Sequence, residues 1–154
     1  MKVTILKSKN YEDVISRCYA TDQELIDKYH VLAPVDLEDA IKDTVSVFAN
    51  AHELSKFTFY EIHKGNNLVG YFGIENLNGI ALLSGYFIMP EYRTKEFLIQ
   101  FMRIVKSKLP STFFTALYEK NVRAEKFLKK NNFVRYGKQY APERRQNMLI
   151  YKFN

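Results

Sequence analysis

The sequence predicts an α/β fold: a mixed, mostly antiparallel twisted sheet with helices on both faces. Three observations predict it. Seven segments rich in β-branched and aromatic residues are bounded by turn residues, as strands are. Five segments repeat apolar residues every three or four positions, as helices with one buried face do. The order is strand, helices, three strands, helix, strand, helix, two strands, and its second half layers helices against a sheet. With 154 residues, 47% hydrophobic and 26% charged, the chain suits one domain spanning 1–154 with a sizeable core.

Each element has its own local cause. Lys2–Leu6 alternates polar and apolar, as a half-buried strand does. From Tyr11 to Ala20, Val14, Ile15, Cys18 and Tyr19 fall at helical spacing. Thr21 to Glu24 is a capping-box pattern that starts a second helical piece, with Leu25, Ile26 and Tyr29 on one face. Asp36 caps a third helix whose Leu37, Ala40, Ile41, Val45 and Phe48 point inward. Phe57–His63 and Leu68–Ile74 form a hairpin across Lys64–Asn67. A turn over Glu75–Gly79 leads to the strand Ile80–Met89. These three strands make an antiparallel meander. The helix from Thr94 to Leu109 buries Phe97, Phe101, Ile104 and Val105, and Pro110 ends it. Thr112–Tyr118 is a strand. Asn121 caps a short helix that buries Ala124, Phe127 and Leu128, with Asn131 and Asn132 at a left-handed exit. Phe133–Gly137 and Met148–Phe153 close the sheet as a hairpin.

Composition narrows the function. No apolar run reaches the roughly 20 residues of a membrane span, and the N-terminus lacks a signal-peptide core. One cysteine, Cys18, allows no internal disulfide, which places the chain in a reducing, cytoplasmic setting. His30, His52 and His63 lack metal-ligand spacing, so no metal site is expected. The net charge of +6 is uneven. Residues 1–77 hold 8 Lys and Arg against 12 Asp and Glu, whereas residues 78–154 hold 15 against 5. A basic half of this kind suits a polyanionic partner such as a nucleotide cofactor. Nucleic acid is the less favoured partner. The basic run from Arg123 to Lys130, with Arg103, Lys106 and Lys108, offers a patch for it, but no nucleic-acid motif is present.

The stretch IALLSGYFIMPEYR, followed by TKEFLIQFMRIVKSKL, reads as a buried strand, a turn at Pro90 and an amphipathic helix. A strand that hands over to a helix N-terminus is a potential phosphate site, because the first backbone N–H groups lack intrahelical acceptors. FIMPEYR resembles the "V-x-P-x-x-R" of the GNAT N-acetyltransferase family. NVRAEKFLKKNNF resembles that family's "N-x-x-A-x-x-x-Y-x-x-x-G-F", with Asn121, Ala124 and Phe133 in matching positions. The resemblance covers most of the chain and is strongest from Leu68 to Phe133. It implies the GNAT fold and acetyl-CoA as cofactor. Phe87, Ile88 and Met89 would offer backbone groups to pantetheine. Arg93, Lys95, Glu96 and the amides of residues 94–98 would meet the phosphates, and Asn121 would sit near the cofactor.

The chain departs from the family pattern in two places. Glu96 and Leu98 stand where the pyrophosphate signature has glycines, and Leu128 stands where many members carry an acidic tyrosine. The implied activity is transfer of an acetyl group from acetyl-CoA to the amine of an unidentified small molecule or peptide. Glu75 or Glu61 would take the amine proton. Tyr118, Tyr86 or Tyr92 would serve the departing sulfur. The alternative is a catalytically degenerate binding or structural protein of the same fold. The Phe127-Leu128-Lys129 run is similar to acetyltransferase-like internal virion proteins of short-tailed bacteriophages, which places that alternative in a virion.

Overall fold

The computed structural model describes residues 2–24, 37–54, 56–142 and 146–154. The elements run β1 (Val3–Ser8), α1 (Tyr11–Tyr19), α2 (Leu37–Leu54), β2 (Lys56–Lys64), β3 (Asn67–Leu77) and β4 (Ile80–Ile88). They continue with α3 (Lys95–Lys108), β5 (Phe113–Tyr118), α4 (Val122–Lys130), β6 (Phe133–Ala141) and β7 (Gln146–Phe153). The seven strands form one sheet in the order β1-β2-β3-β4-β5-β7-β6. β4 and β5 run parallel, and the other neighbours pair antiparallel.

Alternation along the strands sends side chains to two cores. On one face, Val14, Ile15, Cys18 and Tyr19 of α1 and Phe48 of α2 pack on Phe57, Phe59, Tyr71 and Phe87. On the other, Phe97, Phe101, Met102 and Val105 of α3 and Leu128 of α4 pack on Ile62, Val69, Phe72, Leu83 and Ile88. The layers are therefore helix, sheet, helix. Full burial of one such Phe or Leu contributes roughly 1.5–3 kcal/mol, so each face is held by many additive contacts.

Two glycine positions shape the sheet. Asn78 (φ 53°) and Gly79 (φ 86°) both adopt left-handed backbone in the tight β3–β4 turn, and the Asn76 side chain accepts the Gly79 amide at 3.0 Å. A Cβ on Gly70 would lie against the Phe87 carbonyl oxygen, closer than any real contact. Only glycine lets β3 approach β4 there.

Several boundaries differ from expectation. β3 runs on to Leu77, so Glu75 is a strand residue and the turn shrinks to Asn78–Gly79. β6 extends to Ala141 and β7 begins at Gln146, because long-range pairing from Ala141–Gln146 inward overrides the local polarity of the loop. Asn132 is left-handed (φ 67°), whereas Asn131 is not. In α4 only Leu128 is fully buried; Ala124 and Phe127 are half-buried for a reason given below. Met102 is buried on the α3 seam beside Phe97, Phe101 and Val105, whereas the expected Ile104 is only half-buried. The expected positions Leu25, Ile26, Tyr29, His30 and Asp36 lie outside the described residues, as do the side chains of Leu37, Ala40 and His52.

Candidate functional site

The sheet opens between β4 and β5. These strands pair only at Leu82–Phe114 and Leu83–Thr115. Immediately beyond, Gly73 and Ile74 pair with Gly85 and Leu83, which leaves Ser84 as an extra residue in β4. Such a bulge bends its strand and ends the ladder. The Thr115 hydroxyl donates to the Leu83 carbonyl at 2.8 Å, closing the last rung from the β5 side. Beyond this apex β4 and β5 pair no further, and a cavity of about 550 Å³ lies on the α3/α4 face, lined from β4, α3, α4 and Asn121. That volume lies in the range of small-molecule sites.

The cavity has an apolar floor and a cationic rim. Tyr86, Phe87 and Ile88 come from β4, Leu98 and Phe101 from α3, and Ala124 and Phe127 from α4. This explains why Ala124 and Phe127 are only half-buried: they wall a cavity rather than a core. Arg123, Lys126, Lys129 and Lys130 project from α4 at spacings that share one helix face, and all line the cavity. Lys106 and Lys108 of the expected basic patch instead lie over the rings of Phe153 and Tyr60.

Arg93 sits at the mouth and is heavily engaged. Its Nε donates to the Ile88 carbonyl at 2.7 Å, and its guanidinium lies 5.2 Å from the Phe87 ring centroid. A terminal nitrogen reaches Asp22 Oδ2 at 2.8 Å, and Arg123 reaches the same oxygen at 2.6 Å. Asp22 is 5% exposed. One carboxylate, just after α1, therefore ties the β4–α3 wall to the α4 wall. Burial alone would push the Asp22 carboxyl up, but hydrogen bonds from Arg93 and Arg123, with their charges, hold it below its ordinary range.

The start of α3 is a capped helix end. Pro90–Tyr92 form a 3-10 turn, and Thr94 is the N-cap, its hydroxyl accepting the Phe97 amide at 3.2 Å. The Leu98 amide already bonds to the Thr94 carbonyl at 3.0 Å. Of the amides expected to face phosphate, those of Thr94, Lys95 and Glu96 are the ones helix geometry leaves without an intrahelical acceptor or a capping side chain. The Lys95 and Glu96 side chains are exposed, whereas Leu98 is half-buried and lines the cavity. Asn121 also lines the cavity, and its Oδ1 caps α4 by accepting the Ala124 amide at 3.2 Å. Met89 donates its amide to the Val69 carbonyl at 2.8 Å, on the β3 side.

The candidate catalytic residues divide between the faces. Glu75 shares the α1/α2 face with Tyr71 and Gly73, and its Oε2 accepts the Ser84 hydroxyl at 3.1 Å, directly at the apex. Tyr118 alternates with Thr115 and Leu117, so it stands on that same face, opposite the cavity, at the end of β5. Glu61 pairs with His63 at 3.0 Å. Tyr92 packs on Phe97. Tyr86 lines the cavity; its ring packs on Phe101 and Phe127 at 5.7 Å each, and its hydroxyl is buried with no hydrogen-bond partner among the described residues. Burial pushes that phenol well above its ordinary value. Burial likewise pushes the Cys18 thiol up to about 12, which suits a core residue rather than a nucleophile. Among the described residues no acid, His and Cys cluster is arranged to hold a metal ion, and no helix is long and apolar enough to cross a membrane.

Sequence reasoning missed Asp22, because nothing around it marks it as a long-range partner. It also missed Ser84 and Thr115 as the apex. The α4 cations were visible as a basic run, and their shared helix face was the signal that they belong together.

No protein-family model and no curated protein matches the chain in sequence. Solved structures do match it. An acetyltransferase from Thermus thermophilus superposes with a TM-score of 0.73 at 14% identity, covering 99% of this chain and 96% of the other. A Salmonella typhimurium acetyltransferase that modifies the N-terminal serine of a 50S ribosomal protein gives 0.70 at 13% identity, covering 99% and 94%. The PaiA N-acetyltransferase of Thermoplasma acidophilum, in complex with coenzyme A, gives 0.63 at 15%, covering 99% of each chain.

The chain has the GNAT fold. At the start of α3, Glu96 is exposed and Leu98 lines the cavity. Leu128 on α4 is 1% exposed and packs in the core.

Proposed function

We propose that the cleft binds acetyl-CoA and that the protein transfers the acetyl group to an amine. The observation that carries this reading is the opening of β4 from β5 at Ser84, which creates an apolar cavity with a cationic rim. The residues present fit such a ligand. The floor accepts an apolar arm, and the cationic rim balances phosphate charge. Acetyl-CoA supplies an activated thioester. Leu98, Phe101 and Phe127 exclude water from the arm. The Lys95 and Glu96 amides and the α4 lysines face the anionic end, where a helix N-terminus favours negative charge.

Glu75 is positioned to accept the amine proton, directly or through one water. The Ser84 hydroxyl orients it at the apex, on the face opposite the cavity. A base there completes a route in which the acceptor approaches from the α1/α2 face. General-base assistance is typically worth about 10²–10⁴ in rate. Tyr118 stands on that face and is assigned to the acceptor side. Tyr86, Phe87 and Ile88 form the β4 wall, Met89 turns into the opposite core, and Asn121 fixes the start of α4 beside the wall.

A second reading is favoured by two observations. Arg93 is already engaged by Asp22 and Ile88, and Leu128 replaces the tyrosine. Both suit a protein that keeps the fold as a binding or structural module without catalysis. The experiment that separates the readings follows release of free CoA thiol from acetyl-CoA against a panel of polyamines, aminoglycosides and peptide N-termini. Acetyl transfer predicts amine-dependent release that falls at least about 100-fold in Glu75→Gln. Binding of acetyl-CoA with no release across the panel supports the non-catalytic module.

A further inference from the structure

We infer that the acceptor is a short peptide-like amine with an apolar body and a carboxylate at its far end, which Lys152 receives. This rests on the acetyl-transfer reading and names the substrate class for it. The strand register lays out the site. Glu75 of β3 lies opposite Leu82 of β4, and Leu82 opposite Phe114 of β5. Phe114 lies opposite Lys152 of β7, and Lys152 opposite Val134 of β6. Residues directly opposite one another share a face, so these side chains form one row across the sheet. The row crosses β4 and β5 where they still pair, just before Ser84. On this face the buried core ends at β4, and none of its members comes from β5, β6 or β7. Val134 and Tyr136 are 62% and 65% exposed, and Ala116 is exposed as well. An open apolar shelf therefore begins at the proposed base and runs outward across three strands.

Lys152 is the charge on that shelf. Its Nζ lies 6.0 Å from the Phe114 ring centroid and 5.8 Å from that of Tyr136, two rings set edge to face at 5.1 Å. The rings hold the ammonium in place without neutralising it. Among the described residues the ion pairs do not include it. Arg135 and Lys138 of β6 lie opposite Tyr151 and Leu149, and so belong to the other face. A carboxylate at one end of an apolar shelf and a placed cation at the other suit a molecule of the reverse polarity. Its amine meets Glu75, its body lies over the half-buried Leu82 and Phe114, and its carboxylate meets Lys152. Glu75 and Lys152 stand three strand spacings apart, about 14 Å between Cα atoms. With both side chains reaching inward, amine and carboxylate are about 8–10 Å apart, the span of two or three extended residues. Polyamines and aminoglycosides would set a cation against Lys152 and are disfavoured.

The probe is the tripeptide alanyl-phenylalanyl-alanine, compared with the same peptide carrying a C-terminal amide. In calorimetric titration of the CoA-saturated wild type, the free acid is expected to bind about three- to tenfold tighter. In acetyl transfer the same preference is expected in KM with little change in kcat, because Lys152 lies far from the reacting atoms. Lys152→Met is expected to bring the acid down to the affinity of the amide, Lys152→Arg to restore the preference, and Lys152→Glu to reverse it. Titration of each variant with acetyl-CoA checks that the cleft is intact, since Lys152 lies outside its lining. No binding of either peptide, equal binding of the two, or a preference that survives in Lys152→Met overturns the inference. Acetyl transfer to other amines in that event leaves the acetyl-transfer reading standing. Absence of amine-dependent CoA release with every acceptor overturns both.

Discussion

Gly70 is the residue on which the cleft wall depends most directly. Its missing Cβ is what allows the Phe87 carbonyl to lie against β3, which sets the path of β4 just before the mouth. Gly70→Ala forces a backbone shift rather than a side-chain adjustment. A loss of about 2–4 kcal/mol is expected in urea unfolding, at the upper end of ordinary point substitutions. By contrast, a Cβ on Gly137 meets nothing within 4 Å, so Gly137→Ala serves as the near-neutral control. At this scale the sequence was informative where chemistry is local. Thr94 and Asn121 are N-caps because their side chains reach an amide three residues on, and Asn121 is recognisable without a structure. The bulge at Ser84 was not recognisable, because it arises from the register of β4 against β3. Tyr86 likewise reads as one more core aromatic until the cavity beside it is seen.

At the scale of elements, the mouth is held by a contact that spans the chain. Asp22 follows α1, Arg93 precedes α3, and Arg123 opens α4. Two guanidiniums on one buried carboxylate join elements that share no sequence neighbourhood. Asp22→Asn keeps the shape and removes the charge. A loss of about 1–3 kcal/mol at neutral pH is expected, discounted because both arginines are partly exposed to solvent. The pH dependence has a definite sign. The Asp22 carboxyl titrates lower in the folded protein than in the unfolded chain. Its contribution is therefore full above the unfolded value of about 3.9 and fades as pH falls through the lower folded value. Urea titrations of wild type and Asp22→Asn are expected to differ most at neutral pH and to converge below about pH 4. A constant difference across that range would show that the carboxylate's charge is not what holds the mouth. The elements themselves were legible: α4 spans Val122–Lys130 as its cap and period require, and α3 departs by one residue at each end. The strands were less so, since β6 and β7 are lengthened by pairing with each other and not by their own composition.

At the scale of the molecule, the basic second half of the sequence becomes a geometric feature. Four of its cations come together along α4 at the edge of an apolar cavity beside β4, next to the point where β4 and β5 stop pairing. An acidic first half supplies Asp22 to the mouth and Glu75 to the far side of the apex. Fold and charge distribution therefore agree on one cleft, which the proposed function fills with phosphates at the mouth and the thioester toward Ser84. On the proposed acetyl-CoA reading, Glu96 and Leu98 leave no glycine in the first turn of α3 for a close backbone approach, so more of the phosphate binding would fall to the α4 cations. Binding is then expected to be strongly salt-sensitive, because exposed charge pairs are screened beyond about 10 Å at roughly 0.1 M ionic strength. The direct measurement is calorimetric titration of the wild-type protein with acetyl-CoA at low salt and at about 0.5 M salt, where screening is far stronger. A single-site binding isotherm that weakens severalfold at high salt is predicted. No heat and no thermal stabilisation at millimolar acetyl-CoA would contradict the assignment of this cleft.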